Sequence, residues 1–288
     1  MTDGAQLLAA LAWQIDAGAD EAIADEPTDW TAVSARARAA VQARQSPEGT
    51  RPGSAGTAPP APLHSPGAPR PARTGTAPLG AAEAAAEARR LAQAARTLEE
   101  LEAAVRDFEG CALKFTATST VFADGVASGP RVMVVGEAPG EEEDRQGKPF
   151  VGPAGRLLDL MLGSIGLSRT ADTYITNVLP WRPPGNRKPS PAEMEVCLPF
   201  LERHIALVRP PVLLLAGGTA ASAVLGRSEG ITRLRGRWFE HPVTGLPSPV
   251  PTLACFHPAY LLRTPSAKRE AWKDLLSVKQ KILTKDSG

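Results

Sequence analysis

The run RVMVVG at residues 131–136, with the turn EAPG that follows it, decides the fold. A short run rich in Val that ends in a polar turn containing Gly is typical of a strand buried on both faces of a sheet. Three further runs of this kind follow along the chain: TYITNV (173–178), VLLLAG (212–217) and PTLACF (251–256). The sequence therefore predicts four short, buried strands.

The intervals between these runs have the apolar period of amphipathic helices. Helices are predicted near residues 153–166, 190–207, 218–225 and 267–284. The alternation predicts an α/β fold of three layers, α/β/α, around a central, mostly parallel four-stranded sheet. Residues 231–250 fit neither period and indicate a hairpin or an irregular insertion.

The region before the first strand divides into unlike parts. Residues 5–24 have apolar side chains at helical spacing and predict a short amphipathic helix. Residues 46–80 are rich in Pro, Ala, Gly and Thr with almost no large apolar side chains, so burial there does not offset the entropy of ordering. We predict an N-terminal helical segment (1–45), a disordered linker (46–80) and one α/β domain (81–288).

Composition narrows the class of protein. No run of eighteen apolar residues and no secretory leader pattern is present. The three cysteines are far apart and odd in number, which disfavours a disulfide framework and suits a reducing compartment. We expect a monomeric, cytoplasmic protein.

Charge is distributed unevenly along the chain. Residues 205–288 contain twelve basic and five acidic side chains, whereas residues 1–110 contain ten Arg, no Lys and fifteen acidic side chains. Phosphate contacts require Lys and Arg gathered on one surface. The basic excess at the C-terminal end therefore favours nucleic-acid binding.

The ends of the four predicted strands share one character. The chain there reads GEAPG, TNVLPWRPPGNR, AGGTA and CFHPAYLLR, all polar or rich in Gly and Pro. Ligands of open α/β sheets bind outside the carboxyl ends of the strands. The sequence therefore predicts one shared site at this edge.

Four ordered motifs carry a resemblance to a known family. They are VGEAPGEEED (135–144), GKPFVGPAG (147–155), TNV with RPPGNR (176–178 and 182–187) and HPAYLLR (257–263). In this order they resemble the uracil-DNA glycosylase superfamily, most closely its family 4, over about residues 100–284. The resemblance implies an enzyme that hydrolyses the N-glycosidic bond of uracil in DNA and leaves an abasic site, in base excision repair.

The same resemblance assigns a uracil pocket. An enzyme that excises a base takes it out of the stack, holds its ring and reads its edge. Phe150 would stack on the ring, and the Asn177 amide, both donor and acceptor, would read O4 and N3 of uracil. Gly136, Glu137 and Ala138 would line the pocket, largely through main-chain groups.

Catalytic roles are implied in the same way. Bond cleavage develops positive charge on the sugar and negative charge on the departing uracil. His257 would donate to uracil O2 as that charge accumulates. Glu143 is our first choice for the carboxylate that positions water, and Glu137 is the second.

A DNA interface is implied around the last strand. Leu261 or Leu262 would fill the gap left by the flipped nucleotide, and the sequence leaves the choice between them open. Arg263 would contact a phosphate. The expected DNA-binding set is Arg182, Arg187, Tyr260, Leu261, Leu262 and Arg263.

The chain departs from the family at the cysteines. Family 4 enzymes usually hold an iron–sulfur cluster by four Cys, as a [4Fe–4S] cluster requires. The corresponding positions here are Phe108, Cys111, Trp181 and Cys197. Because two ligands are missing, we predict no iron–sulfur cluster and no other metal. Phe108 and Trp181 are expected to be buried close together, beside reduced Cys111 and Cys197.

Alternative functions stay open on the sequence. One is a catalytically silent DNA-binding or polymerase-associated module of the same fold, which the intact candidate residues disfavour. Another is a glycosylase that prefers other deaminated bases, such as hypoxanthine or xanthine. A relative that traps the site covalently through a His is disfavoured, because residues 178–189 contain no His.

Overall fold

The computed structural model describes residues 80–286. The helix predicted at residues 5–24 and the linker predicted at residues 46–80, apart from Gly80, lie outside the described residues. Within residues 80–286, no helix is long and apolar enough to cross a bilayer.

One sheet forms the centre of the described chain. Its strands are β1 (Ala123–Gly125), β2 (Val132–Gly136), β3 (Thr173–Asn177), β4 (Leu213–Ala216), β5 (Trp238–His241) and β6 (Val250–Cys255). Their order in the sheet is β1-β3-β2-β4-β6-β5, and β3, β2, β4 and β6 are parallel neighbours. These four are the strands that the apolar runs predict, so the α/β fold and its parallel centre are confirmed.

The prediction of a four-stranded sheet is wrong in its strand count, because an antiparallel strand adds to each edge. β1 pairs with β3, and its three residues, ADG, are too few and too polar to produce an apolar pattern. β5 pairs with β6 and lies inside the predicted insertion 231–250, so the hairpin is the alternative observed there. Edge strands need only one buried face and one partner, which weakens their sequence signal.

The helices of the described chain are α1 (Ala81–Ala94), α2 (Leu98–Asp107), α3 (Glu141–Gln146), α4 (Pro153–Ser164), α5 (Pro191–Val208), α6 (Gly218–Leu225), α7 (Ile231–Leu234), α8 (Pro258–Arg263) and α9 (Lys268–Asp286). Of these, α4, α5, α6 and α9 are the four that the sequence predicts, and each of their ends lies within two residues of its predicted position. Short 3-10 turns occur at Ala112–Phe115, Pro184–Asn186 and Pro265–Ala267. The Thr97 side chain accepts a hydrogen bond from the N–H of Glu100 and so caps α2.

The two faces of the sheet bury alternate residues of the strands. On one face, Val132 and Val134 pack with α4 and α9. On the other face, Met133 and Val135 pack with α5 and α6. This alternation follows from the period of two in a strand, and it produces the three predicted layers.

A third apolar cluster lies away from the sheet. Helices α1 and α2 pack there against α5, and we call this cluster the side core. Its larger members are Leu101, Phe108, Leu113, Leu179, Trp181 and Phe200, with Cys111 and Cys197 among them.

Candidate functional site

A cavity of about 460 Å³ opens at the carboxyl ends of the parallel strands. Segments that are far apart in the chain meet there, because parallel strands end at one edge of the sheet. The predicted site residues that line it are Glu137, Ala138, Glu143, Phe150, Asn177, Arg187, His257 and Arg263.

The Phe150 ring forms part of the cavity wall. It lies 5.5 Å from the His257 ring between centroids, with the two planes 27° apart. Gly136 makes room for this ring and does not line the cavity itself: a Cβ there would lie 2.3 Å from Oδ1 of Asn177 and 2.6 Å from the Phe150 ring. A side chain at position 136 would therefore displace both groups.

Asn177 is the last residue of β3 and pairs in register with Gly136. The residue is 7% exposed and lines the cavity, and no hydrogen bond of its side-chain amide is found within residues 80–286. The amide is therefore available to a ligand as both donor and acceptor.

His257 caps the N-terminus of α8. The backbone N–H of Ala259 donates to its Nδ1 over 3.1 Å, which leaves the ring proton on Nε2. Burial, together with the positive charge of Arg263, lowers the pKa of His257 to about 4. At neutral pH the ring is therefore an uncharged donor through Nε2–H.

The two candidate carboxylates differ in how they are held. Oε1 of Glu143 accepts from the N–H groups of Val151 (2.9 Å) and Gly152 (2.8 Å), and Oε2 accepts from Gly140 (3.1 Å). The Glu137 side chain is half-buried in the cavity wall and accepts no hydrogen bond within the described chain. Glu143 therefore joins two loops, whereas the Glu137 carboxylate is free to meet a ligand.

The predicted wedge residues differ in exposure. Leu261 is 1% exposed and packs in the core, whereas Leu262 is 46% exposed and Tyr260 is 37% exposed. Of the two leucines, Leu262 is the one available to a partner molecule.

Two of the predicted DNA-binding arginines have acidic partners. Arg187 binds the Glu193 carboxylate with both terminal nitrogens, and this contact lowers the pKa of Glu193 to about 2. Nε of Arg182 donates to Oδ1 of Asn186 over 2.7 Å, and its guanidinium lies 3.5 Å from Glu141. These pairs are at the protein surface, where an ion pair contributes little to stability.

The family's ligand positions fall in the side core. Phe108 and Trp181 are both buried, with ring centroids 6.5 Å apart and planes 22° apart, so their expected contact is confirmed. Cys111 and Cys197 are buried free thiols, and a hydrogen bond to Cys111 together with burial raises the pKa of Cys197. Among residues 80–286, no group of three or more His, Cys, Asp or Glu is arranged to hold a metal. Two thiols with two apolar rings do not fit a four-cysteine cluster.

Several residues that sequence reasoning did not single out also line the cavity. Pro183 and Asn186 belong to the RPPGNR motif, and Gly217 and Gly218 follow β4, so their positions carried a signal. Arg169 lies behind the Phe150 loop and contacts it through main-chain oxygens. No motif surrounds Arg169, because its contacts depend on tertiary structure.

Comparisons with known proteins identify the family and the relatives that this chain resembles. The sequence model of the uracil DNA glycosylase superfamily matches residues 122–276. The Type-4 uracil-DNA glycosylase of Archaeoglobus fulgidus is 38% identical over 187 residues, which are 63% of this chain and 92% of that protein. Proteins of the same name from Pyrobaculum aerophilum and Thermotoga maritima are 36% and 40% identical, over 62% and 59% of this chain and 91% and 85% of theirs.

The resemblance read from the motifs, with family 4 as its closest branch, is thereby confirmed. The family match takes in more than half of the chain and includes every predicted site residue from Gly136 to Arg263. The chain belongs to the uracil DNA glycosylase superfamily.

Proposed function

We propose that the protein is a uracil-DNA glycosylase, which hydrolyses the N-glycosidic bond of uracil in DNA and leaves an abasic site for base excision repair. One observation carries the proposal. A stacking ring, an amide without a partner and an uncharged Nε2–H donor meet in a single cavity, as a flipped uracil requires.

Base recognition is assigned to Phe150 and Asn177. The Phe150 ring offers a face for the flipped base, and the Asn177 amide offers a donor to O4 and an acceptor to N3–H. Cytosine presents a donor at position 4, so the same amide disfavours it. Gly136 contributes space for the Phe150 ring, and Ala138 lines the cavity.

Stabilisation of the departing base is assigned to His257. Negative charge accumulates at uracil O2 as the glycosidic bond breaks, and a preorganised donor there lowers the barrier. A neutral imidazole is suited to this task, because its Nε2–H donates a hydrogen bond to O2 while the proton stays on the histidine. The backbone bond to Nδ1 fixes the ring in the tautomer that donates.

Water positioning is assigned to Glu137, with Glu143 as the alternative. The Glu143 oxygens already accept three backbone N–H groups, so this carboxylate is suited to building the pocket. The Glu137 carboxylate has no such partner and borders the same cavity. Glu137→Gln should lower the single-turnover rate without changing the melting temperature, whereas Glu143→Gln should lower both. The reverse result would return the water-positioning role to Glu143.

DNA engagement is assigned to the exposed surface around α8. Leu262 is the proposed wedge, because Leu261 is committed to the core. Arg263 and Tyr260 are assigned to the same surface, and Arg182 and Arg187 are assigned to further DNA phosphates, which would compete with their carboxylate partners. The Leu262→Ala variant should lose more activity on duplex DNA than on single-stranded DNA.

The proposed activity has a direct test. The protein is incubated with oligonucleotides that contain uracil, hypoxanthine, xanthine or only normal bases, and alkali-labile sites are quantified. Cleavage at uracil supports the proposal, and His257→Ala should lower its single-turnover rate by about one to three orders of magnitude. Cleavage confined to hypoxanthine or xanthine would redirect the proposal to those bases, and no cleavage at all would favour a silent DNA-binding module.

We further propose that the enzyme works without an iron–sulfur cluster or other metal, as a monomer of the cytoplasm. The buried Phe108–Trp181 contact and the pair of remaining thiols support the first part. Protein purified anaerobically should be colourless, free of iron and active. A brown protein that absorbs at about 400 nm, with about four irons per chain, would contradict this part of the proposal.

A further inference from the structure

We propose that Arg169 is a positioning residue, which holds the Phe150 ring in the orientation that stacks on the base; this inference rests on the proposed function. Arg169 does not line the cavity within the described chain, and it lies in the segment between α4 and β3. It would therefore act through Phe150 and not on the substrate.

Arg169 binds the main chain on both sides of the stacking residue. Its Nη1 donates to the carbonyl oxygen of Pro149 over 3.0 Å, and its Nη2 donates to the carbonyl oxygen of Phe150 over 2.7 Å. Two consecutive carbonyls bound by one rigid guanidinium fix the orientation of the peptide between them.

Phe150 has a particular need for such support. Its φ is +54°, a left-handed conformation that is uncommon and unfavourable for a residue with a bulky side chain. Strained backbone of this kind persists when surrounding contacts over-determine it, and it concentrates at functional sites. The Phe150 carbonyl also passes the first turn of α4 so closely that a Cβ on Gly155 would lie 1.8 Å from its oxygen. The peptide is thus held by Arg169 on one side and packed against Gly155 on the other.

Arg169 is itself held in place by two carboxylates. Its Nε donates to Oδ1 of Asp159 over 2.9 Å, and its Nη1 lies 3.1 Å from Oδ2 of Asp124. The Arg169 side chain is 15% exposed and that of Asp124 is 24% exposed, so the bond between them is better shielded than a surface pair, whereas the Asp159 side chain is 46% exposed. Asp124 belongs to β1, the edge strand that the sequence did not predict. Arg169 therefore links this strand to the Phe150 loop at the cavity.

Lysine is the informative replacement. Its single ammonium keeps the charge near Asp124 and Asp159 but does not reproduce the fork that binds two carbonyls. Arg169→Lys should raise the inhibition constant of free uracil about tenfold and lower the single-turnover rate about tenfold to a hundredfold, as expected for a misplaced recognition group. Affinity for undamaged DNA should not change. Arg156→Lys, the same replacement at an exposed residue of α4, is the matched control and should leave all three quantities unchanged.

A double-mutant cycle with Phe150→Ala shows whether Arg169 acts through the ring. If it does, Arg169→Lys should have little further effect on uracil inhibition once the ring is gone, because effects that share one route are not additive. An equal effect in both backgrounds would overturn the inference while leaving the proposed function intact, and so would an unchanged inhibition constant in a folded Arg169→Lys protein. Normal uracil excision by Phe150→Ala would overturn both this inference and the assigned stacking role.

A second variant covers the case in which Arg169→Lys does not fold. Asp124→Asn with Asp159→Asn leaves Arg169 in place but weakens the contacts that orient it. This variant should raise the inhibition constant of uracil about threefold, less than the loss of the fork itself. An unchanged constant in the folded double variant, with Arg169→Lys unfolded, would assign Arg169 to stability alone and overturn the inference.

Discussion

The pocket, which is the cavity at the carboxyl ends of the parallel strands, and the side core use their polar groups in opposite ways. In the pocket, the Asn177 amide and the Glu137 carboxylate have no hydrogen-bond partner within the described chain. In the side core, apolar rings pack edge to face or in parallel, and the indole N–H of Trp181 donates to Thr120 over 3.1 Å. Polar groups without a partner contribute no stability and are retained where a ligand needs them, whereas well-packed apolar clusters stabilise the fold.

One short segment of the chain runs from the pocket into the side core and back. Asn177 ends β3 in the pocket, and Trp181 lies four residues further along in the side core. Arg187, at the end of the same segment, returns to the cavity rim. We therefore expect changes at the pocket end of this segment to lower activity with little effect on stability, and changes at the side-core end to lower stability with little effect on activity.

The largest expected effect is a loss of stability in the side core. Phe108→Ala should lower the free energy of unfolding by about 3 to 5 kcal/mol, because Phe108 is 3% exposed and packs on Trp181 and Phe200. At 25 °C the folded variant should keep its single-turnover rate within about threefold, a change below about 1 kcal/mol in the barrier. Denaturant unfolding and the cleavage assay measure the two quantities.

Phe115→Ala is the matched control for this prediction. Phe115 is 67% exposed, so its removal should change the unfolding free energy by about 0.5 kcal/mol or less. Equal destabilisation by the two variants would mean that the side core does not supply the stability assigned to it. A hundredfold loss of activity in a folded Phe108→Ala protein would mean that the two regions are not separable.

The converse effect is expected at Asn177. Asn177→Asp should lower uracil excision by about two to three orders of magnitude, since a carboxylate facing O4 replaces a donor with an acceptor. The free energy of unfolding should change by about 1 kcal/mol or less, because the amide has no partner to lose. Single-turnover cleavage and thermal unfolding measure the pair. Near-normal cleavage would remove Asn177 from the recognition of uracil.

A smaller effect is expected from the pH dependence of His257. Burial lowers its pKa to about 4 in the folded protein, against about 6.5 in an unfolded chain. Between these values the unfolded state binds more protons, so the stability contributed by the neutral ring is present above pH 6.5 and is lost as the pH falls toward 4. The loss should be about 1 to 3 kcal/mol.

The comparison with His257→Asn isolates this contribution. Asp274 has its pKa raised to about 6 by burial, which acts in the opposite direction over part of the same range, and the difference between the two proteins cancels it. The unfolding free energy of the wild type should decline more steeply than that of the variant between pH 6.5 and 4. Parallel curves would mean that His257 is not held neutral by burial, and would weaken its role as an uncharged donor.

The sequence predicts the centre of this molecule better than its edges. Continuous apolar runs identified the four parallel strands because each is buried on two faces, and ordered motifs brought Phe150, Asn177 and His257 to one site. The sequence did not predict the strand Ala123–Gly125, because three polar or small residues have no apolar period. Arg169 was not predicted for a related reason. Its partners Asp124, Asp159, Pro149 and Phe150 lie 45, 10, 20 and 19 residues away along the chain, and only the fold brings them together.

The exposure of the two leucines after His257 was also beyond the sequence. Both are apolar and adjacent, and a helical turn decides that Leu261 packs in the core while Leu262 remains exposed. The roles of Glu137 and Glu143 divide for the same kind of reason, since backbone donors surround only Glu143.

The smallest effect is expected from removal of residues 1–79. Among residues 80–286, those that line the cavity lie between Glu137 and Arg263, and the Pro-rich composition of residues 46–79 disfavours packing. The single-turnover rate should therefore stay within about twofold of the full chain. A deeper deletion, of residues 1–96, is the informative comparison because it also removes α1. Helix α1 buries Ala84, Ala85, Ala88 and Ala92 against the side core, so this deletion should expose apolar surface of α5 and lower the melting temperature. If the shorter deletion alone abolished activity in a folded protein, the first 79 residues would contribute to catalysis or DNA binding, and the pocket and side core would not be the whole of the functional machinery.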